Sequence, residues 1–115
     1  MIRQVDLAEV FTGAEFVPQA VINRTLEYFE HELGIRFGED ADDLDTYKVA
    51  GLKVDGRVPL ALIQYRGHPA DEVTLYMAHD PERFSEAADF LPAILEELHL
   101  PRASVTWIRE PSAAI

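Results

Sequence analysis

The sequence predicts a single α+β domain, a two-layer sandwich with the element order α-β-β-β-α-β. Three observations predict it: two segments with apolar residues at helical spacing, four segments in which apolar residues alternate, and turn residues at short intervals between them. We expect an antiparallel three-stranded meander, a fourth strand at a sheet edge, and both helices on one face. No repeat or linker divides the chain, so the domain is expected to cover residues 1–115.

The first helix is predicted over residues 17–33. Pro18 near its start and Gly34 just after its end are typical start and stop signals. The apolar side chains of this segment form one stripe at helical spacing: Ile22, Leu26, Phe29 and Leu33. The acid-rich segment that follows, from Glu39 to Asp45, is predicted to be a solvated connector.

The four strands are predicted from alternating apolar residues, over residues 44–54, 57–66, 72–79 and 103–109. Asp55 and Gly56 favour a two-residue type I′ turn between the first two strands. Gly51 indicates a bulge in the first strand. A right-handed crossover makes the fourth strand parallel to the first and third and places it beside one of them, and the sequence leaves both positions open.

The second helix is predicted to begin at Asp80-Pro81-Glu82, a capping acid followed by a proline at the first helical position. It is expected to end at His99-Leu100-Pro101. Pro92 lies inside this segment, where proline costs about 3 kcal/mol in a straight helix. We therefore expect a kink or two consecutive helices, with Asp89 as the cap of the second.

The charge of the chain excludes several partner classes. With 21 acidic and 10 basic side chains the formal net charge is -11, so a nucleic-acid backbone or an anionic membrane surface would repel it. No apolar stretch approaches the roughly 18 to 20 residues of a membrane span. Acids also occupy the N-terminal positions where a secretory signal needs its apolar core. We expect a cytoplasmic protein.

The residues that could carry catalysis or bind a metal are scattered. The chain has no Cys, its serines lie outside any nucleophile motif, and its six glycines are dispersed rather than grouped in a phosphate-binding loop. His68 and His79 flank the third predicted strand at opposite ends, too far apart to share an ion. Glu27 and His31 lie one helical turn apart, which is usually an exposed polar pair. We predict no catalytic residue, no cofactor, no metal and no enzymatic activity.

The residues expected on the sheet face opposite the helices suggest an interaction surface. That face is predicted to carry Ile63, Tyr65, Thr74, Tyr76 and Ile108. Two interpretations stay open: these are ordinary half-buried sheet residues, or they form a surface for a protein partner or a second copy. The candidate partner-binding residues are Ile63, Tyr65, Thr74, Tyr76 and Trp107, although Trp107 is equally compatible with the core.

Three functions compete. The leading hypothesis is a non-enzymatic, cytoplasmic protein-interaction or regulatory domain that acts through an open sheet face or an edge strand, with a homodimer as one form of such an interaction. The second is an acidic inhibitor or immunity-type protein that binds a basic enzyme through Glu39, Asp40, Asp42, Asp43 and Asp45. The third is a small-ligand or metal-binding domain with a pocket near His79 or His31.

Four consecutive segments also match a known regulatory domain in pattern. They are a helix with Leu26-Glu27-Tyr28-Phe29 and Leu33-Gly34, then Tyr47 to Val54 with its internal Gly51, Gly56 to Arg66 ending in Tyr-Arg, and Val73-Thr74-Leu75-Tyr76-Met77. This half of the chain resembles the C-terminal sensor-side region of proteobacterial transmembrane anti-sigma factors. We find neither a sigma-binding region with His and Cys zinc ligands nor a membrane span in the sequence. The resemblance implies a detached regulatory module and no catalytic residue.

Overall fold

The computed structural model of the protein describes residues 2–7, 16–41, 45–54, 58–78 and 84–109. They form a seven-stranded antiparallel sheet and two α-helices, which confirms the α+β class. The helices are α1, Leu26–Leu33, and α2, Phe84–Glu97. The strands are β1 Ile2–Val5, β2 Phe16–Ile22, β3 Gly38–Ala41, β4 Thr46–Val54, β5 Val58–Tyr65, β6 Val73–Ala78 and β7 Val105–Ile108. The predicted order was incomplete, because β1, β2 and β3 were not foreseen.

The sheet order is β1-β4-β5-β6-β2-β7, and β3 also pairs with β4. Strand β5 lies along nearly all of β4 on one side. On the other side β1 pairs with the end of β4, up to Val5 opposite Gly51, and β3 pairs with its beginning, from Gly38 opposite Val49. Two short strands therefore lie end to end along one edge of the sheet.

The prediction of a helix over residues 17–33 was wrong in its first third. Residues up to Ile22 form β2, which lies between β6 and β7 in the sheet. Helix α1 begins only after Thr25, whose side-chain oxygen accepts a hydrogen bond from the Tyr28 N–H at 3.3 Å. Pro18, taken as a helix start, lies instead next to a β-bulge in β2. The backbone groups of these residues therefore form hydrogen bonds with the two flanking strands, whereas in a helix they would bond within the segment.

The predicted end of this helix is correct. Gly34 adopts the left-handed conformation, with φ of 67°, and its N–H bonds to the carbonyls of Phe29 and Glu30. This conformation costs glycine little, because it has no Cβ.

The acid-rich segment is not only a solvated connector, because its first residues form β3. Glu39 lies opposite Lys48, and the Lys48 Nζ and Glu39 Oε1 atoms are 3.1 Å apart. Pairing with β4 gives this polar sequence the backbone hydrogen bonds of a strand, although all four of its residues are exposed. Asp42 and Asp43 lie outside the described residues.

The second helix is continuous through Pro92, so the expectation of two consecutive helices, with Asp89 as a cap, was wrong. Pro92 is exposed. The predicted start at residues 80–82 lies outside the described residues. At the other end, His99 adopts a φ of 57° and the Leu100 N–H bonds to the Leu95 carbonyl, so the helix ends where the sequence indicated.

The last strand, β7, occupies a sheet edge and runs in the same direction as β4 and β6, as predicted. The sequence left two positions open for this strand, beside β4 or beside β6, and it occupies neither of them. It pairs with β2, with Val21 opposite Trp107, so β2 separates it from β6. The prediction failed because β2 had been assigned to a helix and was not available as a neighbour.

Two predictions about turns and bulges are also corrected. Gly51 lies opposite Ala61 in unbroken register, and the bulge predicted there occurs instead in β2, between Pro18 and Ala20. Residues 55–57 lie outside the described residues, but Val54 pairs with Val58. Three residues, not two, therefore separate the last paired positions of β4 and β5.

One large cluster of buried side chains, the main core, contains residues of both helices and of alternate positions in the sheet. Phe29 of α1 and Ile94 of α2 are fully buried in it, together with Leu62 and Leu75 of the central strands. Ile108 packs against this cluster and lies opposite Ala20, so its predicted place on the opposite face was wrong. Neither described helix is long and apolar enough to cross a membrane.

Candidate functional site

The central strands carry a second apolar cluster on the face opposite the main core. Because side chains alternate along a strand, Val49, Ala61 and Ile63 point away from Leu62 and its neighbours. They are only 2%, 0% and 6% exposed. Half-buried residues pack against this cluster: Val5, Leu7, Phe16, Tyr47, Tyr65 and Tyr76. We call this side of the sheet the tyrosine face, with the three buried residues as its floor, and define it by Val21, Tyr47, Val49, Ala61, Ile63, Tyr65, Thr74, Tyr76 and Trp107.

One row of the tyrosine face crosses five strands. Cross-strand register places Trp107 opposite Val21, Val21 opposite Thr74, Thr74 opposite Ile63, and Ile63 opposite Val49. Neighbouring strands lie about 4.8 Å apart, so the row extends roughly 19 Å across the sheet. It joins the exposed tryptophan at the edge to the buried valine and isoleucine at the centre.

Aromatic rings border this row at one end of β4 and β5. Tyr47 lies opposite Tyr65, with ring centroids 5.1 Å apart, and the ring of His68 in the following turn lies 5.6 Å from that of Tyr65. Such tilted contacts between rings are favourable and hold the side chains in place. The half-exposed rings are therefore presented as a fixed group.

Tyr76 borders the row on its other side. It lies opposite Ala61 on β5 and opposite Pro18 on β2, and it is half-buried. Ala61 is the smallest side chain of the cluster and is flanked by larger ones. Ala61 is fully buried beside Tyr76, on the strand that carries Tyr65.

Trp107 is the residue of the tyrosine face with the largest exposed fraction. It is the only tryptophan in the chain, and 45% of it is exposed. Strand β7, which carries it, pairs only with β2 in the described part of the chain. Trp107, which the sequence left open between core and surface, therefore lies at the surface.

The structure brings the five predicted partner-binding residues onto one surface, and their role as such stays a prediction. Val21 connects Thr74 to Trp107, but the sequence pattern predicts a helix for its segment and so does not indicate it as a surface residue. Tyr47 and Val49 were also missed. The alternation along β4 contains the signal that would have found them.

Of the acidic residues predicted as a contact segment, the structure describes Glu39, Asp40 and Asp45, and their role stays a prediction. Glu39 and Asp40 are exposed on β3. Asp45 is half-buried, and its Oδ1 accepts a hydrogen bond from the Thr46 N–H at 2.8 Å. The rest of the segment is not described.

Within the described ranges, no three His, Asp or Glu side chains come close enough to hold a metal ion. His31 is exposed on α1, and His79 lies outside those ranges. A polar cavity of about 400 Å³ lies instead beside β1, lined by Arg3, Gln4, Val5, Asp6 and Arg36. Two of its lining residues are joined, because the Gln4 side-chain amide donates to the Arg36 carbonyl at 2.5 Å and accepts from the Arg36 N–H at 2.9 Å.

Tyr28 has a perturbed titration, but it lies on the other side of the sheet. Burial is the main cause that raises the pKa of the Tyr28 hydroxyl above its usual 10.0, and the nearby Arg24 acts in the opposite sense. The hydroxyl lies 3.0 Å from the Leu98 carbonyl and 2.8 Å from the His99 carbonyl. These bonds attach α1 to the end of α2, which is a structural role.

Comparison with known proteins adds no relative. No protein-family model, curated protein or solved structure matches the chain significantly. The functional argument therefore depends on the surface of the domain itself.

Proposed function

We propose that this chain is a non-enzymatic protein-interaction domain, and that a partner protein binds to the tyrosine face. One observation carries the proposal: a buried apolar floor bordered by half-exposed aromatic rings that extends to an exposed tryptophan. A regulatory role in the cytoplasm belongs to the proposal and is supported by the sequence alone.

The position of the helices supports the proposal. Phe29 of α1 and Ile94 of α2 pack in the main core, against residues such as Leu62. We therefore infer that both helices cover that face, as in the two-layer sandwich predicted from the sequence. Among the described residues, no side chain of either helix packs in the cluster beneath the tyrosine face, where half-buried aromatic rings lie at the surface.

The chemistry of the tyrosine face matches that of known interface centres. Tyr and Trp are enriched at the centres of protein interfaces and among the residues that lose most binding energy when truncated. Their rings bury large areas while ordering few rotatable bonds. Each apolar Å² removed from water contributes about 25 cal/mol, before the entropy cost of association is subtracted.

The residues that define the tyrosine face carry no formal charge, which indicates the kind of partner. We expect a complementary patch of aliphatic and aromatic side chains. The affinity should change little between low and physiological salt, because burial rather than ion pairing contributes most of it. This insensitivity to salt separates the proposal from the acidic-inhibitor hypothesis.

The test compares two charge insertions on the tyrosine face with one elsewhere. Tyr65→Glu and Tyr76→Glu place a carboxylate in the proposed interface, and His31→Glu places the same group on exposed α1. Immobilised wild-type protein and the His31→Glu variant should retain the same partner from extract of the native cell, and the two tyrosine variants should lose it. Binding of the purified partner should also shift the fluorescence of Trp107, the sole tryptophan.

Circular dichroism melts of all variants are the control for folding. If Tyr65→Glu and Tyr76→Glu stay folded and retain the partner as well as wild type does, the tyrosine face is not the contact surface. If both variants unfold, these tyrosines belong to the folding core and the proposal is also wrong.

The exposed acids of β3 favour one second candidate, an inhibitor of a basic enzyme. In that case retention of the partner by the immobilised protein depends on Glu39 and Asp40 rather than on Tyr65 and Tyr76. A Glu39→Gln, Asp40→Asn double variant would then lose the partner, and the wild-type interaction would weaken steeply as salt is added.

A further inference from the structure

Strands β1 and β3 together form one interrupted edge strand, which we call the composite edge and define as Ile2–Val5 and Gly38–Ala41. Both strands run antiparallel to β4 and therefore in the same direction. Opposite β4, only the position of Ala50 separates them. In the described part of the chain, each pairs with β4 alone. Of these eight strand positions, every second one therefore directs its backbone N–H and C=O groups outward along one edge of the sheet.

The two halves of the composite edge carry opposite charge. The β1 half contains Arg3, which lies opposite another cation, Lys53. The β3 half contains Glu39 and Asp40. Glu39 already pairs with Lys48, but neither Arg3 nor Asp40 makes an ion pair with a described residue. The two unpaired charges therefore lie at similar distances on either side of the Ala50 position.

We propose that the composite edge pairs with the composite edge of a second copy of this chain, in an antiparallel arrangement around a two-fold axis at the Ala50 position. In that register, Arg3 lies directly opposite Asp40 of the second copy, and the pair occurs twice. Both residues belong to the same face of the sheet, since their partners on β4, Lys53 and Tyr47, are an even number of residues apart. The other pairs are Gln4 with Glu39, Val5 with Gly38, and Ile2 with Ala41.

Charge complementarity favours this occupant and this register. A shift by two positions that brings Arg3 opposite Gly38 of the second copy removes both ion pairs. Charges on an edge strand normally prevent pairing with other sheets. Here the charge pattern is its own complement under a two-fold rotation, as an isologous dimer requires. The charges on the composite edge therefore disfavour pairing with most other strands and favour pairing with a second copy of this chain.

This dimer is independent of the proposed function, because it uses another surface and needs no partner. It would join two sheets into one and place two tyrosine faces on the same side. A partner with two matching patches would then bind both copies with increased avidity.

The first experiment is sedimentation of the wild-type protein and of charge variants in low salt, over concentrations up to about 100 μM, where weak dimers are populated. Wild type should form a dimer. Arg3→Asp or Asp40→Arg should each raise the dissociation constant by about tenfold or more, since each creates two like-charged pairs. The double variant Arg3→Asp, Asp40→Arg should restore the dimer, because the exchange keeps the pairs opposite.

The matched control is Arg102→Asp, which makes the same change in net charge at an exposed residue near the opposite sheet edge. It should leave the dissociation constant unchanged. A wild-type monomer throughout the concentration range would overturn the proposal. So would equal weakening by Arg102→Asp, or failure of the charge exchange to restore the dimer.

Cysteine crosslinking tests the register and does not depend on those variants. The chain has no native Cys. Arg3 and Asp40 of one copy lie about 20 Å apart along the edge at the rise of a strand, so cysteines there cannot join within a chain. A mixture of Arg3→Cys and Asp40→Cys chains should oxidise to a covalent dimer, and neither variant alone should do so. Crosslinking of a single variant, or of neither the single variants nor the mixture, would contradict the proposed pairing.

Discussion

The two faces of the sheet have the same alternating pattern of apolar residues and differ in what covers them. Leu62 and Leu75 are fully buried and belong to the same cluster as Phe29 of α1 and Ile94 of α2. On the tyrosine face, Ile63 is covered by side chains of the strands and of the segments that flank them. The same alternation of apolar residues along a strand therefore does not mean that both faces are covered in the same way. The main core holds the fold together, and the tyrosine face keeps rings at its surface.

The choice of side chains follows this difference. Most residues of the main core are branched aliphatic ones, which fill space as close packing requires. The tyrosine face combines the small Ala61 with large amphipathic tyrosines, which are half-buried and cover the apolar floor. Under the proposed function, stability and recognition are assigned to opposite sides of the same three strands.

The largest expected effect comes from truncating two neighbouring residues of β5 that point to opposite faces. Leu62→Ala should lower the free energy of unfolding by about 3 to 4 kcal/mol, because it leaves a cavity between sheet and helices. Ile63→Ala should cost about 2 kcal/mol, because the site is bounded by surface side chains that can close over it. Urea unfolding followed by circular dichroism measures both. Equal losses would show that the two faces are equally important for folding.

Tyr28 provides the next comparison, between a tyrosine that serves the fold and those on the tyrosine face. Tyr28→Phe removes the hydroxyl that bonds to the carbonyls of Leu98 and His99. We expect a loss of about 1 kcal/mol, typical of one net hydrogen bond with a carbonyl left without its donor. Chemical denaturation at neutral pH measures it. No loss would show that these bonds do not hold α1 against α2.

The pH dependence of the same variant gives an independent check. The pKa of Tyr28 is raised in the folded state above its usual 10.0, mainly by burial. The neutral hydroxyl is therefore favoured by folding, and its contribution is complete below pH 10 and is lost as the pH rises through the folded-state pKa. The stability difference between wild type and Tyr28→Phe should shrink above pH 10. A difference that grows there would contradict the direction of the shift.

The central strands were predictable because their signal is local. Residues 44–54, 57–66 and 72–79 alternate regularly, and the strands observed differ from these bounds by at most two residues at each end. The assignment of side chains to the two faces follows from the same alternation, which placed Ile63, Tyr65, Thr74 and Tyr76 together. The end of α1 was also predictable, since glycine in the left-handed conformation is a local signal.

The elements that were missed depend on tertiary pairing. Ile22 is at helical spacing from Leu26 and Phe29, yet it belongs to strand β2. That strand is held in the sheet by β6 and β7, which come much later in the sequence. Strands β1 and β3 have four residues each and acquire their structure from β4. No periodicity in such short, polar segments indicates a strand. The composite edge was therefore invisible in the sequence.

The smallest expected effect is at the border of the tyrosine face. Trp107→Tyr keeps an aromatic ring at a position that is 45% exposed, so the free energy of unfolding should change by less than about 0.5 kcal/mol. Urea unfolding followed by circular dichroism is suitable, because the variant has no tryptophan. A loss above about 1 kcal/mol would mean that Trp107 is a support of the fold. A small loss is what a residue held for a partner requires, since removing it should weaken binding and leave the domain intact.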